Sequence, residues 1–406
     1  MYMSIIYLAL LAIALFWIIV IYLNRTFDLK KHGVAFESGM LIWRTKRGLR
    51  FIDRVGKRFR EFWLWFGDTA VGIGFILMIF VFVSLLLYVI ILLHNPGNAV
   101  PGAKLIIPGI TIPLVEGLIA LFSVLLVHES SHGYVMRAQD LRTKSTGLLL
   151  WIVIPGAFVE QDDKQLQRAP LMKRLRVYAA GSFANVVFAL VVFGIILALI
   201  SPKPGVYMYA LENGSPLDNS IKFNGLNDRL FLGAQLKLII DNENVPHPIN
   251  NVDDWNSFFD RGIPPGENLT IEIGNENFQI TTVENYHDNI GFQLIRALDR
   301  IEYANPLNLT LAAAGDLVNA PVIHQYVYNS VIPWEGIVIL KWIFMLNFGI
   351  GLVNLLPAVP LDGGYILRGL LERKMKKKTA KRVSYAIAIF TLALIIINFL
   401  PVVLTR

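Results

Sequence analysis

The chain has 406 residues, 55% of them hydrophobic and 17% charged, with a mean hydropathy of +0.54 and no cysteine. A soluble domain carries about 25% charged residues, so this composition points away from one large water-soluble core, and the lack of cysteine excludes disulfides and thiolate-held metal. The net charge of +7 fits the Lys and Arg that gather in the cytoplasmic loops of membrane proteins, and it does not require a nucleic-acid partner.

Six apolar stretches are each near the roughly 20 residues that cross about 30 Å of hydrocarbon. The first, Ile5–Leu23, is 19 apolar or aromatic residues with no basic segment before it. It is read as a retained span with its N-terminus outside, not as a cleaved signal. The loop Arg25–Arg60 follows, with eleven Lys/Arg. It holds either an amphipathic interfacial helix around Leu49–Phe62 or a solvated basic loop. The second and third spans are Val71–Leu93 and Ile112–Met136.

The third span ends in His128-Glu129-Ser130-Ser131-His132. On a helix, positions i and i+4 stack on one face, so both imidazoles can reach one zinc ion. Glu129 stands beside the first ligand, where a carboxylate can take a proton from a zinc-activated water. Buried histidines at membrane depth can also be hydrogen-bonded between helices, but ionisable groups there are costly and usually functional.

Gly147–Val159 is apolar but too short to span, and Pro155-Gly156 breaks it. It reads as a re-entrant or hairpin element buried in protein. The basic stretch Lys164–Arg176 leads to the fourth span, Val177–Leu199. That span opens with Gly181-Ser182-Phe183-Ala184-Asn185. Asn185 is a neutral donor suited to a developing oxyanion. Alternatively, the small residues allow close helix packing and Asn185 bonds across helices.

The segment Ser201–Ile332 holds 7 Lys/Arg and 16 Asp/Glu, the reverse of the basic loops, and is placed outside. Within it, about Gly205–Leu294 has short β-branched runs bounded by turn signals such as Asn213-Gly214, Asn224-Gly225 and Pro264-Pro265-Gly266. Several strands and a helix over Asp253–Phe259 predict a small β-rich module. Gly214-Ser215-Pro216-Leu217 and the run Leu236–Ile240 before Asp241-Asn242-Glu243 resemble a PDZ domain, which captures an extended peptide on a sheet edge.

The fifth span, Ile337–Leu356, closes with Asn354-Leu355-Leu356-Pro357-Ala358-Val359-Pro360-Leu361-Asp362-Gly363-Gly364. The prolines end the helix, and the glycines allow an unusual backbone beside Asp362. A two-histidine site needs a third protein ligand and an open position. Asp362 is the best candidate, on the same side as His128 and His132. Asn354 presents the same choice as Asn185, between a polar role in the site and a contact between helices. Seven Lys/Arg in Arg373–Arg382 precede the last span, Tyr385–Leu400.

Three motifs together, H-E-x-x-H at a span end, G-x-x-x-N in the next span and N-x-x-P-x-x-P-L-D-G-G later, resemble the site-2 protease family of intramembrane zinc metalloproteases. The resemblance covers about Ile112–Leu400. It implies His128, His132 and Asp362 as zinc ligands, Glu129 as catalytic acid/base, and Asn185 and Asn354 as polar residues of the site. It also implies that Gly147–Val159 is a membrane-embedded β-element able to pair with an unwound substrate strand. The family commonly has proline after the glycine of its second motif, where Ser182 stands here. The first two spans lie outside the resemblance and receive no role from it.

The expected protein is therefore a polytopic α-helical membrane protein of about six transmembrane helices, with an embedded β-element and an inserted β-rich PDZ-like domain. Residues 1–111 hold the first two spans and the basic loop, and 112–200 the first part of the catalytic core. Residues 201–300 form the extracytoplasmic PDZ-like domain, 301–336 a connector, and 337–406 the second part of the core. The expected function is zinc-dependent hydrolysis of peptide bonds within or near transmembrane segments, in regulated intramembrane proteolysis. The expected partners are transmembrane protein substrates, the lipid bilayer and a peptide ligand of the PDZ-like domain, with no nucleic acid. The expected location is a prokaryotic plasma membrane, with the active site toward the cytoplasm. The rivals are a scaffold or receptor with a structural metal, and a metal transporter.

Overall fold

The computed structural model describes residues 14–23, 26–27, 33–37, 40–94, 106–151, 154–211, 214–223, 234–284, 292–295 and 328–404. The chain divides into two compact units, Met1–Phe193 with Ile339–Arg406, and Gly194–Val338.

The first unit is built on helices. Five are long and apolar enough to cross a membrane among the described residues: α3 (Arg60–His94), α4 (Leu114–Ala138), α6 (Leu171–Leu199), α9 (Trp334–Asn354) and α11 (Lys377–Leu404). The division between the units falls within α6 and α9. Large apolar side chains such as Ile76 and Ile389, 65% and 70% exposed, face outward. That arrangement suits a hydrocarbon solvent and would be unfavourable in water. Of the expected first span only α1 (Ala14–Leu23) is described; its start at Ile5 lies outside the described residues.

Polar contacts fix how the helices meet. Asn347 Nδ2 on α9 donates to Ser123 Oγ on α4 at 2.9 Å, an interhelical bond of the kind that holds helices together in an apolar medium. Helix α4 ends in a Schellman motif. Asp140 takes a left-handed backbone (φ 61°), its N–H bonds the Arg137 carbonyl, and the Leu141 N–H bonds the Met136 carbonyl at 3.0 Å. Leu141 and Met136 join the same buried cluster. This turn sends the chain into β3 (Thr143–Trp151) and β4 (Ile154–Gln161), an antiparallel hairpin over the stretch expected to form a β-element. Residues 152 and 153 lie outside the described residues.

The basic loop is more ordered than a solvated loop. It forms β1 (Val34–Glu37), β2 (Met40–Thr45) and helix α2 (Arg47–Arg58). Strand β2 pairs with β3, Met40 opposite Trp151 and Thr45 opposite Thr146, giving a sheet ordered β1-β2-β3-β4. Gly147 lets these strands close up, because a Cβ there would lie 2.3 Å from the Trp43 carbonyl oxygen. Helix α2 packs on α4 through Gly56, whose Cβ would lie 2.8 Å from Arg137 Cβ, and through an Asp53–Arg137 ion pair. The N-terminal segment thus builds onto the element expected to handle substrate, which sequence patterns did not indicate.

The second unit is strand-rich. Strands β6 (Val206–Leu211), β7 (Gln235–Ile240), β8 (Pro246–Pro248), β9 (Asn268–Ile273), β10 (Glu276–Thr281) and β11 (Phe292–Ile295) form one antiparallel sheet, ordered β10-β9-β7-β6-β11 with β8 on β7. Alternation sorts the faces: Leu269, Ile271 and Ile273 of β9 and Phe278 and Ile280 of β10 are buried together. Among the described residues two helices cover the core, α7 (Pro216–Phe223) and α8 (Val252–Phe259), where one was expected. Asn251 caps α8 by accepting from the Asp254 N–H at 2.8 Å. Short strands β5 (Ile200–Pro202) and β12 (Tyr328–Ser330) pair separately. The remaining elements are α5 (Asp163–Arg168) and α10 (Asp362–Glu372), both in the first unit.

Candidate metal centre

Helix α4 carries His128, Glu129 and His132 on its second half, with no proline after Pro113 to interrupt it. The i, i+4 spacing brings the imidazoles edge to face, ring centroids 4.7 Å apart. Their Nε2 atoms point at one another at 3.1 Å. The third group arrives from 230 residues away (362 − 132). Helix α9 stops at Asn354, the chain turns through Pro357 and a cis Val359–Pro360 bond, and α10 begins at Asp362. A carboxylate in the first turn of a helix is favoured by the unpaired N–H groups and by the dipole. Asp362 Oδ2 lies 3.5 Å from His128 Nε2, and Oδ1 lies 3.6 Å from His132 Nε2.

The requirement for Gly363-Gly364 is spatial. Both take ordinary helical backbone inside α10, with no positive φ. A Cβ on Gly363 would lie 1.9 Å from the Leu355 carbonyl oxygen, and one on Gly364 would lie 2.4 Å from the Val359 nitrogen. The glycines let α10 press against the end of α9, which delivers Asp362 to the histidines. The unusual backbone expected beside Asp362 is replaced by this close approach.

This donor set fits zinc. Tetrahedral zinc with bonds of about 2.0–2.1 Å separates its ligand atoms by about 3.3–3.4 Å. The separations here are 3.1 Å between the two Nε2 atoms, 3.5 Å from His128 to Asp362 Oδ2 and 3.6 Å from His132 to Asp362 Oδ1, so each carboxylate oxygen lies close to this range from one imidazole. Three protein ligands leave a fourth position open, the arrangement of a catalytic site. Among the described residues these are the His and acidic side chains whose donor atoms gather within 4.8 Å. The side chains of His128, His132 and Asp362 are 12%, 7% and 14% exposed, so the site is sheltered but reachable.

Glu129 is turned to the sheet. Its Oε2 accepts the Val159 N–H of β4 at 3.0 Å, tying the candidate acid/base to the strand beside the site. Asn185 is fully buried in α6, and its amide meets His128 Nδ1 at 3.3 Å. Asn354 ends α9, half-buried, without a side-chain hydrogen bond to the cluster among the described residues. Three further contacts receive no role from the sequence patterns. The Val177 carbonyl lies 2.7 Å from His132 Nδ1, Ser182 Oγ donates to Asp362 Oδ2 at 2.6 Å, and Gly181 sits against both imidazoles. Ser182 could have been found only through its departure from the proline common in the resembled motif.

Comparisons with known proteins place the chain in a family. The model of peptidase family M50 matches residues 116–398. An uncharacterized protein of Methanocaldococcus jannaschii is 27% identical over 386 residues, 94% of this chain and 90% of the relative. The membrane-bound transcription factor site-2 protease homolog of Arabidopsis thaliana is 28% identical over 164 residues, 38% of this chain and 31% of that protein.

Proposed function

The chain belongs to peptidase family M50, the site-2 protease family of membrane metalloproteases, and we propose that it is a zinc endopeptidase cutting peptide bonds within or near transmembrane segments of membrane proteins. The observation that carries the proposal is the convergence of His128, His132 and Asp362, with donor atoms within 4.8 Å, beside Glu129. A zinc ion held by those three residues would polarise the scissile carbonyl and make water nucleophilic near neutral pH.

The residues of this chain do the rest. Glu129 takes the proton of the attacking water as its oxygen bonds the carbonyl carbon. It then delivers a proton to the leaving nitrogen as the C–N bond breaks. Among the described residues no strand lies beyond β4, so an unwound substrate segment can add there as the next strand, taking over the Val159 N–H that Glu129 holds. Unwinding is required because helical carbonyls are otherwise engaged in hydrogen bonds. Basic stretches around Arg25–Arg60, Lys164–Arg176 and Arg373–Arg382 support a cytoplasmic orientation for this end of the core. The antiparallel sheet with two helices in the second unit supports a PDZ-like module outside the cytoplasm, filtering substrates already trimmed by another protease. Regulated intramembrane proteolysis in a prokaryotic plasma membrane is the setting this arrangement suits.

The test uses the full chain purified in detergent with a single-span substrate. Glu129→Gln should keep bound zinc and lower the cleavage rate by about 10²–10⁴-fold. Unchanged cleavage in Glu129→Gln would remove the protease reading and favour a structural metal.

A further inference from the structure

Helix α6 touches the far side of all three candidate ligands. The Val177 carbonyl meets His132 Nδ1, Ser182 Oγ meets Asp362 Oδ2, and the Asn185 amide meets His128 Nδ1. Positions 177, 181, 182 and 185 share one helical face. Gly181 in their midst leaves room for the two imidazoles. Ser182 and Asn185 are fully buried, so neither hydroxyl nor amide has water as an alternative partner.

The protonation pattern follows from these contacts. Both histidines turn Nε2 toward Asp362, so a metal there requires the ring protons on Nδ1. His132 Nδ1–H then donates to the Val177 carbonyl. His128 Nδ1–H needs an acceptor, and Asn185 is the group it meets. The Asn185 Oδ1 is buried without a hydrogen-bond partner while its Nδ2 lies against the ring. A 180° turn of the amide lets Oδ1 accept from Nδ1–H and moves Nδ2 to the position Oδ1 now holds, so the pairing with His128 is set by the ring proton. Ser182 acts likewise on Asp362: its 2.6 Å bond to Oδ2 fixes the orientation of the carboxylate that faces the two imidazoles.

We infer that Ser182 and Asn185 are positioning residues that set the orientation of Asp362 and His128, and that Asn185 acts through His128 and not on the oxyanion of the peptide. This deepens the zinc peptidase reading and rests on it. Proline, common at position 182 in the resembled motif, has no hydroxyl to give, so Ser182 supplies Asp362 with a partner that such a side chain cannot.

Zinc affinity separates the roles. Full-length wild type, Ser182→Ala, Ser182→Thr, Asn185→Ala, Asn185→Asp and Asp362→Ala would be titrated against a chromophoric zinc chelator, with kcat and KM measured in parallel. Removing an outer partner of a metal ligand weakens binding by about 10–100-fold, and that is the shift expected for Ser182→Ala and Asn185→Ala. Ser182→Thr keeps the hydroxyl and should restore affinity. Asn185→Asp keeps an acceptor on Nδ1–H and should bind zinc at least as tightly as wild type. If Asn185→Ala binds zinc normally and loses only kcat, Asn185 is an oxyanion donor and the inference fails. A tenfold weakening in Asn185→Asp also overturns it, as does wild-type affinity in Ser182→Ala. A folded wild type without zinc would instead fail the metalloprotease reading itself.

Discussion

Replacing Gly181 with alanine should weaken zinc binding without replacing any of the candidate ligands. The new Cβ would stand 2.4 Å from His132 Nε2 and 2.8 Å from His128 Cε1. Non-bonded carbon and nitrogen atoms settle at about 3.5–4.0 Å, so the methyl or the rings must yield by about 1 Å. The rings are poorly placed to yield, because His132 is held at Nδ1 by the Val177 carbonyl and His128 by Asn185. Metal–ligand distances tolerate about 0.2 Å, five times less than the displacement required. Zinc binding should therefore weaken by more than ~100-fold, beyond the effect of losing one outer hydrogen bond, and cleavage should fall with it. Gly194 on the same helix is the control: nothing lies within 4 Å of a Cβ there. Alanine at that position should leave zinc untouched and be neutral or stabilising by about 0.5–1 kcal/mol. Zinc content by mass spectrometry and chelator titration reads both variants. Wild-type zinc affinity in Gly181→Ala would refute the packing argument.

Three further outcomes follow from other parts of the molecule. A double-mutant cycle over Ser123→Ala and Asn347→Ala should return a coupling of about 0.6 kcal/mol, and at most ~1.7 kcal/mol, in detergent unfolding; zero coupling would mean that the 2.9 Å bond does not hold α4 to α9. Burial pushes the Asp218 carboxyl up, but the Lys222 ammonium at 2.6 Å and the Gly214 N–H at 2.7 Å outweigh it and hold it below the usual carboxylate range. Its stabilisation is then complete above the unfolded-state value and lost as pH falls through the lower folded-state value. Hydrogen exchange over Pro216–Phe223 should be faster in Asp218→Asn at neutral pH, with the difference closing in acid; a pH-independent difference would contradict the ion pair. Deleting Gly205–Leu294 should permit cleavage of untrimmed substrates, and unchanged selectivity would count against the filter.

The chemistry of the site was more legible in the sequence than its support. His128, Glu129 and His132 lie within five consecutive residues whose helical spacing has a direct chemical reading, and the two prolines and two glycines around Asp362 mark a built turn. Hydrophobic runs gave the positions of the five described spans for a similar reason, since hydrocarbon thickness dictates their length. What could not be read is set by tertiary approach. The Val177 contact is a backbone carbonyl, which no side-chain pattern reports. Gly363 looks like a hinge until the Leu355 carbonyl is seen 1.9 Å from its missing Cβ. Strands β1 and β2 sit in a segment whose basic residues dominate any composition reading. The strand that β2 pairs with, β3, lies about a hundred residues later.

Those N-terminal strands bear on how a substrate would be aligned. An isolated β3–β4 hairpin would expose two edges, each able to accept an extended segment. In this chain β2 covers β3 along Met40–Thr45, and β1 covers β2. One open edge of the sheet is then β4. The other is β1, four residues long and about 14 Å away at ordinary strand spacing. Only the β4 edge carries the N–H that meets Glu129. Helix α2, pinned to α4 by the Asp53–Arg137 pair, fixes the strands to the helix that carries the metal ligands. Under the proposed mechanism the N-terminal segment removes the unproductive edge of β3. It leaves strand addition to the face where the peptide bond, Glu129 and the metal ligands can meet.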